Sequence, residues 1–481
     1  MEYKLRPIQE EPVRKGIEFF SKKQAEPSII VAPTAFGKSI VIAKIAESTN
    51  DHLLILQPSK ELLEQNFKKY ISLGKRASIY SASFGQKQIS QVTFATIGSI
   101  KSIGKAFKSY GFTKMIIDEV HLFPRSADSM LGGFLKDSGI THVLGLTATP
   151  LKLQTNTDLD GNQYSKLQML TSRSKKGNFF KEIIHVCQVS EMVENKYWSK
   201  LEYEKYDIDQ SGLVYNSTKA EFTEKSLKEV YKTNDTYSKI IQKINDIPER
   251  KSIIVFVPSV EEAKALANVV PNSCYITGDL GRRERDFAVN GFKSGSIRVV
   301  FNVNVLSVGF DHPELDAIIL ARSTASFAWY YQALGRGTRI SPNKKDCLIV
   351  DFSGNVSRFG MVEHIQIVKQ GKIWKVFGEG GKLLTGIPMH EIGRHINKGG
   401  DNPDDSDHDI DTKSRPKYEN KKPTNPDILT MPFGKHEGKK IADLPKDYRR
   451  WMLDKFEWKE HNKHLKLALI EMSTRDLVVQ A

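Results

Sequence analysis

Short, wholly apolar runs punctuate this chain and stop abruptly at turns or charges. Ser28-Ile29-Ile30-Val31 and Lys114-Met115-Ile116-Ile117 are too short for helices and read as buried strands. A second set lies further on, in Lys251-Ser252-Ile253-Ile254-Val255-Phe256-Val257 and Arg298-Val299-Val300-Phe301-Asn302-Val303-Asn304. Between the first two strands, Ser39 to Ala46 reads as the start of a helix. Lys219 to Ile247 alternates apolar and charged residues at helical spacing and predicts further helices. At 481 residues the chain exceeds one typical domain. The pattern therefore predicts an α/β protein with two cores.

The turn after the first strand is Ala32-Pro33-Thr34-Ala35-Phe36-Gly37-Lys38-Ser39. A strand, a small-residue turn and a helix start aim backbone N–H groups at one point, which suits a polyphosphate. Lys38 would reach the outer phosphates and the Ser39 hydroxyl would coordinate Mg²⁺. Ala32, Ala35 and Phe36 stand where such loops often carry other residues, glycine above all. Taken alone, the turn is equally a plain strand–helix connection.

The next apolar strand ends in Asp118-Glu119-Val120-His121. Two adjacent acids at a strand end are costly unless used. Asp118 is expected to hold Mg²⁺ and Glu119 to orient and deprotonate water. His121 either links this site to the opposite lobe or packs beneath it.

These residues resemble a superfamily 2 helicase of the DEAH/DExH kind, from about Leu5 to Gly360. Within it the chain is similar to RadD-like bacterial proteins and small phage-encoded DNA helicases. The resemblance implies two RecA-like parallel-sheet lobes in tandem. Leu5-Arg6-Pro7-Ile8-Gln9 matches the adenine-recognition motif, which makes Arg6 and Gln9 nucleotide-site candidates with Gln9 the base reader. Pro58, Ser59 and Lys60, then Thr96 and Gly98, fall in stretches that resemble strand-contacting motifs. Thr147-Ala148-Thr149-Pro150 matches the motif that couples hydrolysis to strand contacts, so Thr147 and Thr149 join His121 as coupling candidates. In the second lobe, Gly309 and Asp311 fall in motif V, near the ribose and the lobe interface. Gln332-Ala333-Leu334-Gly335-Arg336-Gly337-Thr338-Arg339 resembles motif VI. The resemblance gives Gln332, Arg336 and Arg339 catalytic roles, with Arg339 favoured as the finger; a planar guanidinium suits phosphoryl charge.

Charge points the same way. Lysine and arginine number 71 against 57 acids, a formal net charge of +14, and a phosphate backbone is the natural counterpart. Cys187, Cys274 and Cys347 have no metal-ligand spacing, whereas the RadD-like proteins carry a cysteine-rich zinc element. No eighteen-residue apolar run occurs, so no membrane association is expected and the cytoplasm of a bacterial or phage-infected bacterial cell is the expected compartment.

The expected organisation is lobe 1 over 1–150, an inserted, mostly helical brace over 151–248, lobe 2 over 249–397, a linker over 398–427 and a small basic α+β module over 428–481. The brace reads equally as a strand guide or a structural insertion. The linker assignment rests on scarce apolar residues and the tract Asp401-Asn402-Pro403-Asp404-Asp405-Ser406-Asp407. The last module resembles one appended to exonuclease X-like proteins, and Lys435, Lys439 and Lys440 are its candidate nucleic-acid contacts. His461 and His464 there lack a third metal ligand. The whole implies an ATP-dependent DNA helicase or translocase using ATP and Mg²⁺, with DNA as partner, RNA not excluded, and replication or recombination proteins as further partners. Two alternatives stand beside it: an RNA-directed or duplex-translocating ATPase that never separates strands, and a nuclease acting through the last module.

Overall fold

The computed structural model describes residues 4–123, 129–157, 161, 163–172, 178–303, 305, 310–392, 436, 439–455 and 469. It divides into two compact units, Met1–Gly399 and Gly400–Ala481.

In the larger unit, seven strands arise before residue 148: β1 Ser28–Val31, β2 Leu53–Gln57, β3 Ser78–Ser81, β4 Gln86–Lys87, β5 Val92–Thr96, β6 Lys114–Ile117 and β7 His142–Thr147. A long antiparallel hairpin follows, β8 Leu151–Thr157 with β9 Gln163–Met169, and then β10 Glu182–Val186. The first sheet runs β10-β1-β7-β6-β2-β5-β3-β4, and every pairing but β3–β4 is parallel. Its central strands are buried along their length, as continuous apolar runs require when helices cover both faces. The phosphate-loop turn leaves the C-terminal end of β1, and Asp118 leaves the same end of β6. That is where open parallel sheets hold ligands.

The second sheet contains β11 Lys200–Lys205, β12 Ile253–Phe256, β13 Ser273–Ile276, β14 Val299–Asn302, β15 Ala317–Leu320 and β16 Asp346–Asp351. It is wholly parallel, in the order β11-β16-β15-β12-β14-β13. Strand alternation divides its side chains between two cores. Ile254, Phe256, Val300, Ile318 and Leu320 join the core that continues into the first lobe. Ile253, Val255, Val299, Phe301 and Ile319 form a separate core beneath helices Glu224–Thr233 and Thr236–Asp246. One apolar face of the second lobe is thus shared with the first. The tandem RecA-like α/β architecture is as expected.

Segment 151–248 serves three places in this arrangement. Its latter half supplies the two helices that helical spacing predicted. Its first half is extended, and this the polar composition did not signal. β10 pairs with β1 and extends the first sheet, while β11 pairs with β16 and extends the second. After β16 the chain returns to the first lobe with hairpin β17 Gln366–Gln370 and β18 Ile373–Phe377.

In the smaller unit a 3-10 turn, Ile441–Asp443, precedes helix Lys446–Lys455, and Ile441, Leu444 and Met452 are buried. Asp443 sits just ahead of that helix. Lys439 and Lys440 are exposed. Lys435, the proposed linker 398–427, His461, His464 and the side chain of Trp451 lie outside the described residues.

Candidate functional site

A cleft of about 290 Å³ opens where the two sheets meet, lined by Pro33 to Ser39, Asp118, Glu119, Asp311, Gln332, Arg336 and Arg339. Residues scattered over three hundred positions of sequence converge there.

The loop itself is held open by unusual backbone. Gly37 has φ +90°, and a Cβ there would lie 2.6 Å from the Gln9 amide nitrogen, so only glycine fits. Ala35 has φ +57°, a conformation that costs a non-glycine residue about 1–2 kcal/mol. Gln9 does not line the cleft. Its Nε2 donates to the Phe36 carbonyl at 2.6 Å and its Oε1 accepts from the Arg6 N–H at 2.9 Å. In this arrangement Gln9 braces the loop, and Arg6 is the member of its motif that reaches the cleft.

Glu119 follows β6 at φ +45°, another strained non-glycine position. This turns its carboxylate toward Lys38, whose Nζ lies 3.2 Å from Oε1. The Glu119 N–H donates to Asp118 Oδ1 at 2.9 Å, and Asn66 Nδ2 donates to Asp118 Oδ2 at 2.8 Å. Burial raises the Asp118 carboxyl to about 6, and the neighbouring Glu119 charge adds to the rise. Burial pushes Glu119 up as well, but Lys38 and then His121 outweigh it and hold Glu119 below its ordinary range. One acid is thus kept ionised opposite the loop lysine.

His121 connects within its own lobe. Its Nδ1 shares a hydrogen bond of 2.8 Å with the Thr147 hydroxyl and lies 3.5 Å from Glu119 Oε2. Thr147 Oγ1 donates to the Thr149 carbonyl at 3.2 Å and accepts from the Thr149 N–H at 3.0 Å. A chain of polar contacts therefore joins Glu119 to the Thr147-Ala148-Thr149 turn.

The second lobe supplies the opposite wall through helix Phe327–Leu334 and the turn after it. Gly335 meets the loop so closely that a Cβ there would lie 2.5 Å from Thr34 Oγ1. Arg336 is buried, and its Nη1 donates to the Phe310 carbonyl at 2.9 Å. Burial, then the neighbouring Arg339 charge, pull its guanidinium down to about 9. Arg339, the favoured finger, is tied to Asp311, with Nε 2.6 Å from Oδ1. Gln332 is buried and its amide nitrogen has no partner among the described residues. Gly309 lies outside them.

The strand-contact candidates also come together. Gln57 pairs with Thr96 across β2 and β5, so Pro58-Ser59-Lys60 and Thr96-Ile97-Gly98 leave adjacent strands at the same edge. Ser59 caps helix Lys60–Ile71 by accepting from the Leu62 N–H, and a Cβ at Gly98 would meet open space.

Several residues in or beside the cleft escaped the sequence reading. Asn66 holds Asp118, and the signal was a polar residue on the buried stripe Leu63–Asn66–Tyr70. Tyr197 lines the cleft with the Arg6 guanidinium 4.6 Å above its ring, a planar pair able to hold a base. Trp198 Nε1 donates to the Thr34 carbonyl at 2.9 Å. Both aromatics lie between helix Val189–Glu194 and β11, in a polar stretch with no motif around them.

Comparison with known proteins agrees with this fold. Residues 2–152 match the family described as type III restriction enzyme, res subunit, and residues 235–341 match the helicase conserved C-terminal domain. Residues 428–461 match a family described as "Putative quorum-sensing-regulated virulence factor". The chain is 27% identical over 188 residues to the "Putative ATP-dependent helicase IRC3" of Saccharomyces cerevisiae, covering 38% of this chain and 27% of that protein. It is 23% identical to a 51.5 kDa protein of a Lactococcus phage, covering 73% of this chain and 70% of the phage protein. The ATP-dependent DNA helicase Hel308 of Pyrococcus horikoshii is 23% identical, over 69% of this chain and 46% of its own length. Against these relatives the chain spans from about a quarter to 70% of their length. In fold it resembles the ATP-dependent Type ISP restriction-modification enzyme LlaBIII bound to DNA, with a TM-score of 0.53 and 17% identity over 73% of this chain and 28% of that one. Two domain families in tandem, two α/β lobes and a cleft built from both identify the chain as a member of the superfamily 2 helicases.

Proposed function

We propose that this protein is an ATP-dependent DNA translocase or helicase. The observation that carries the reading is the cleft in which Lys38, Asp118 and Glu119 from one lobe face Gln332, Arg336 and Arg339 from the other. Hydrolysis in such a cleft is coupled to movement because neither lobe holds the whole catalytic set. Lys38 would leave Glu119 for the phosphates, and the freed carboxylate of Glu119 would take the proton of the attacking water. Arg336 and Arg339 would stabilise charge on the phosphoryl oxygens, Arg339 by exchanging Asp311 for the nucleotide. Arg6 and Tyr197 would clamp the base.

Ser39 and Asp118 offer one hydroxyl and one carboxylate in the same cleft, a donor set that suits an ion keeping several waters and substrate phosphates. These two residues would hold Mg²⁺, which when bound neutralises phosphate charge.

The His121–Thr147–Thr149 chain would carry the state of the catalytic acid toward the strand-contacting edge formed by residues 58–60 and 96–98. Alternating grip there and on the second lobe would ratchet the protein along a strand. The net charge of +14 and a Type ISP enzyme bound to DNA among its structural relatives support nucleic acid, and DNA in particular, as the track. Replication, recombination or repair would be the setting. No helix among the described residues is long and apolar enough to cross a membrane.

The test is ATP hydrolysis measured with single-stranded DNA, duplex DNA, forked DNA and RNA, followed by strand displacement on whichever stimulates. Stimulation by DNA with displacement supports a helicase. Stimulation by RNA alone, or by duplex without displacement, selects the alternative ATPases. Cutting of DNA with metal and no ATP would select the nuclease.

A further inference from the structure

Hairpin β17–β18 contributes nothing to the cleft, yet it is held firmly. Its residues Ile367 and Val376 face one another and are buried. Gln188 grips it as a neighbouring strand would: its Nε2 donates to the Ile367 carbonyl at 2.8 Å and its Oε1 accepts from the Ile367 N–H at 3.1 Å. Lys369 lies 3.7 Å from Glu182 of β10. An isolated two-stranded hairpin is marginal in water, so these anchors give it a fixed place on the first lobe.

What the hairpin presents is basic and aromatic. From Gln366 to Phe377 it carries Lys369, Lys372 and Lys375 and no carboxylate. Ile373 at its tip is 63% exposed. Trp374 is half-buried, with Lys369 Nζ 5.7 Å from its ring centroid, and it lines two open grooves. One, of about 620 Å³, runs between this hairpin and β8–β9, is lined by Lys152, Gln168, Asn178 and Lys375 among others, and has no carboxylate among the described residues of its lining. The other, of about 560 Å³, adds Lys15, Lys22 and Lys369, with Glu18 and Glu182 as its acids. Both acids are paired, Glu18 with Arg14 and Glu182 with Lys369.

We propose that this ridge is a second contact for a single strand of nucleic acid, with an unpaired base stacked on Trp374 and the backbone on Lys372 and Lys375. The inference rests on the nucleic-acid reading above and adds a site outside the motifs. Lysines around an aromatic face are what a sequence-tolerant single-strand groove requires. The exposed apolar tip beside the indole suits a base face better than it suits water. The place is distinct from the Lys60 and Thr96 edge: β10 borders the second groove, and β5 lies five strand spacings away in the first sheet, about 24 Å. A strand held at both would be gripped at two separated points, or two strands held apart.

The experiment uses the full chain and fluorescence anisotropy with labelled twenty-nucleotide oligothymidine and oligouridine, beside binding of a fluorescent ADP. Trp374→Ala is expected to weaken oligonucleotide binding about 5- to 150-fold, the loss of one stacked base, with ADP binding unchanged. Trp374→Phe, which keeps a ring, is expected to recover most of that loss. Lys372→Gln with Lys375→Gln is expected to flatten the salt dependence by about 0.7 in log–log slope per lysine. Equal losses for the two oligonucleotides assign the groove to either nucleic acid, and a loss for one alone names which. Wild-type-like binding by both sets of variants overturns the proposal and leaves the face for a protein partner. Parallel loss of ADP binding in Trp374→Ala also overturns it, by exposing a structural role. If the unmodified protein bound neither oligonucleotide, the nucleic-acid reading itself would fall.

Discussion

Glu119→Gln separates nucleotide binding from chemistry. The substitution keeps the side chain's shape and hydrogen-bonding reach, so the φ +45° backbone and the N–H bond to Asp118 should persist. Two things change. The proton acceptor disappears, which is expected to lower the hydrolysis rate about 10²–10⁴-fold, or about 3–5 kcal/mol of barrier. The counter-charge of Lys38 also disappears. At 3.2 Å and an effective dielectric near 20, the attraction lost is about 5 kcal/mol before solvation is counted. In the unmodified protein phosphates must compete with Glu119 for that ammonium; in the variant they need not. Nucleotide affinity should therefore hold or rise while turnover collapses. The assay pairs fluorescent ATP-analogue binding with single-turnover hydrolysis under saturating DNA. A variant that loses nucleotide binding, or keeps more than about a tenth of the wild-type rate, would contradict the assignment of Glu119 as base and make it a structural acid.

Other expectations follow from the same geometry. Arg339→Ala should lower kcat by about 10³–10⁵-fold with nucleotide binding little changed, and a drop in affinity at constant kcat would assign it to ground-state binding instead. Gly335→Ala pushes a Cβ to 2.5 Å from Thr34 and should misalign the lobes, cutting DNA-stimulated hydrolysis about 10²-fold; an unaltered rate would mean the lobes part here during turnover. His185, pushed down to about 4 from 6.5 mainly by burial, is favoured neutral in the fold. The unfolded chain therefore takes up its proton first as pH falls, and stability should drop between pH 6.5 and 4. Asp118 acts in the opposite sense, because its raised value lets the fold bind a proton first. Thermal melts of wild type and His185→Gln compared at each pH cancel that term, and a constant difference would refute the histidine contribution.

The candidate site was legible because it is carried by short stretches that stay contiguous: a loop ending in Lys38, a strand ending in Asp118-Glu119, a turn holding Arg336 and Arg339. The sheets were legible for a related reason, since strands buried on both faces read as unbroken apolar runs. The rest depends on contacts between distant segments. Gln9 reads as a base contact, yet its amide is occupied by Phe36 and Arg6, a choice made only when the loop folds over it. Nothing near Tyr197 or Trp198 in sequence tells that the turn between helix Val189–Glu194 and β11 will deliver them to the loop before Lys38. β10 and β11 are half-polar edge strands, so their runs lack the apolar continuity of the central ones. Asn66 was readable in principle, as a polar residue on a buried helical stripe.

The measurement that tests the central claim most directly is steady-state ATP hydrolysis, with and without saturating single-stranded DNA, by wild type, Lys38→Ala and Arg336→Ala. A cleft shared by two lobes requires that DNA raise the wild-type rate and that either substitution, one from each lobe, abolish the stimulated rate in a folded protein. Stimulated hydrolysis that survives Arg336→Ala would show the first lobe working alone, and hydrolysis that survives Lys38→Ala would remove the nucleotide from this cleft altogether.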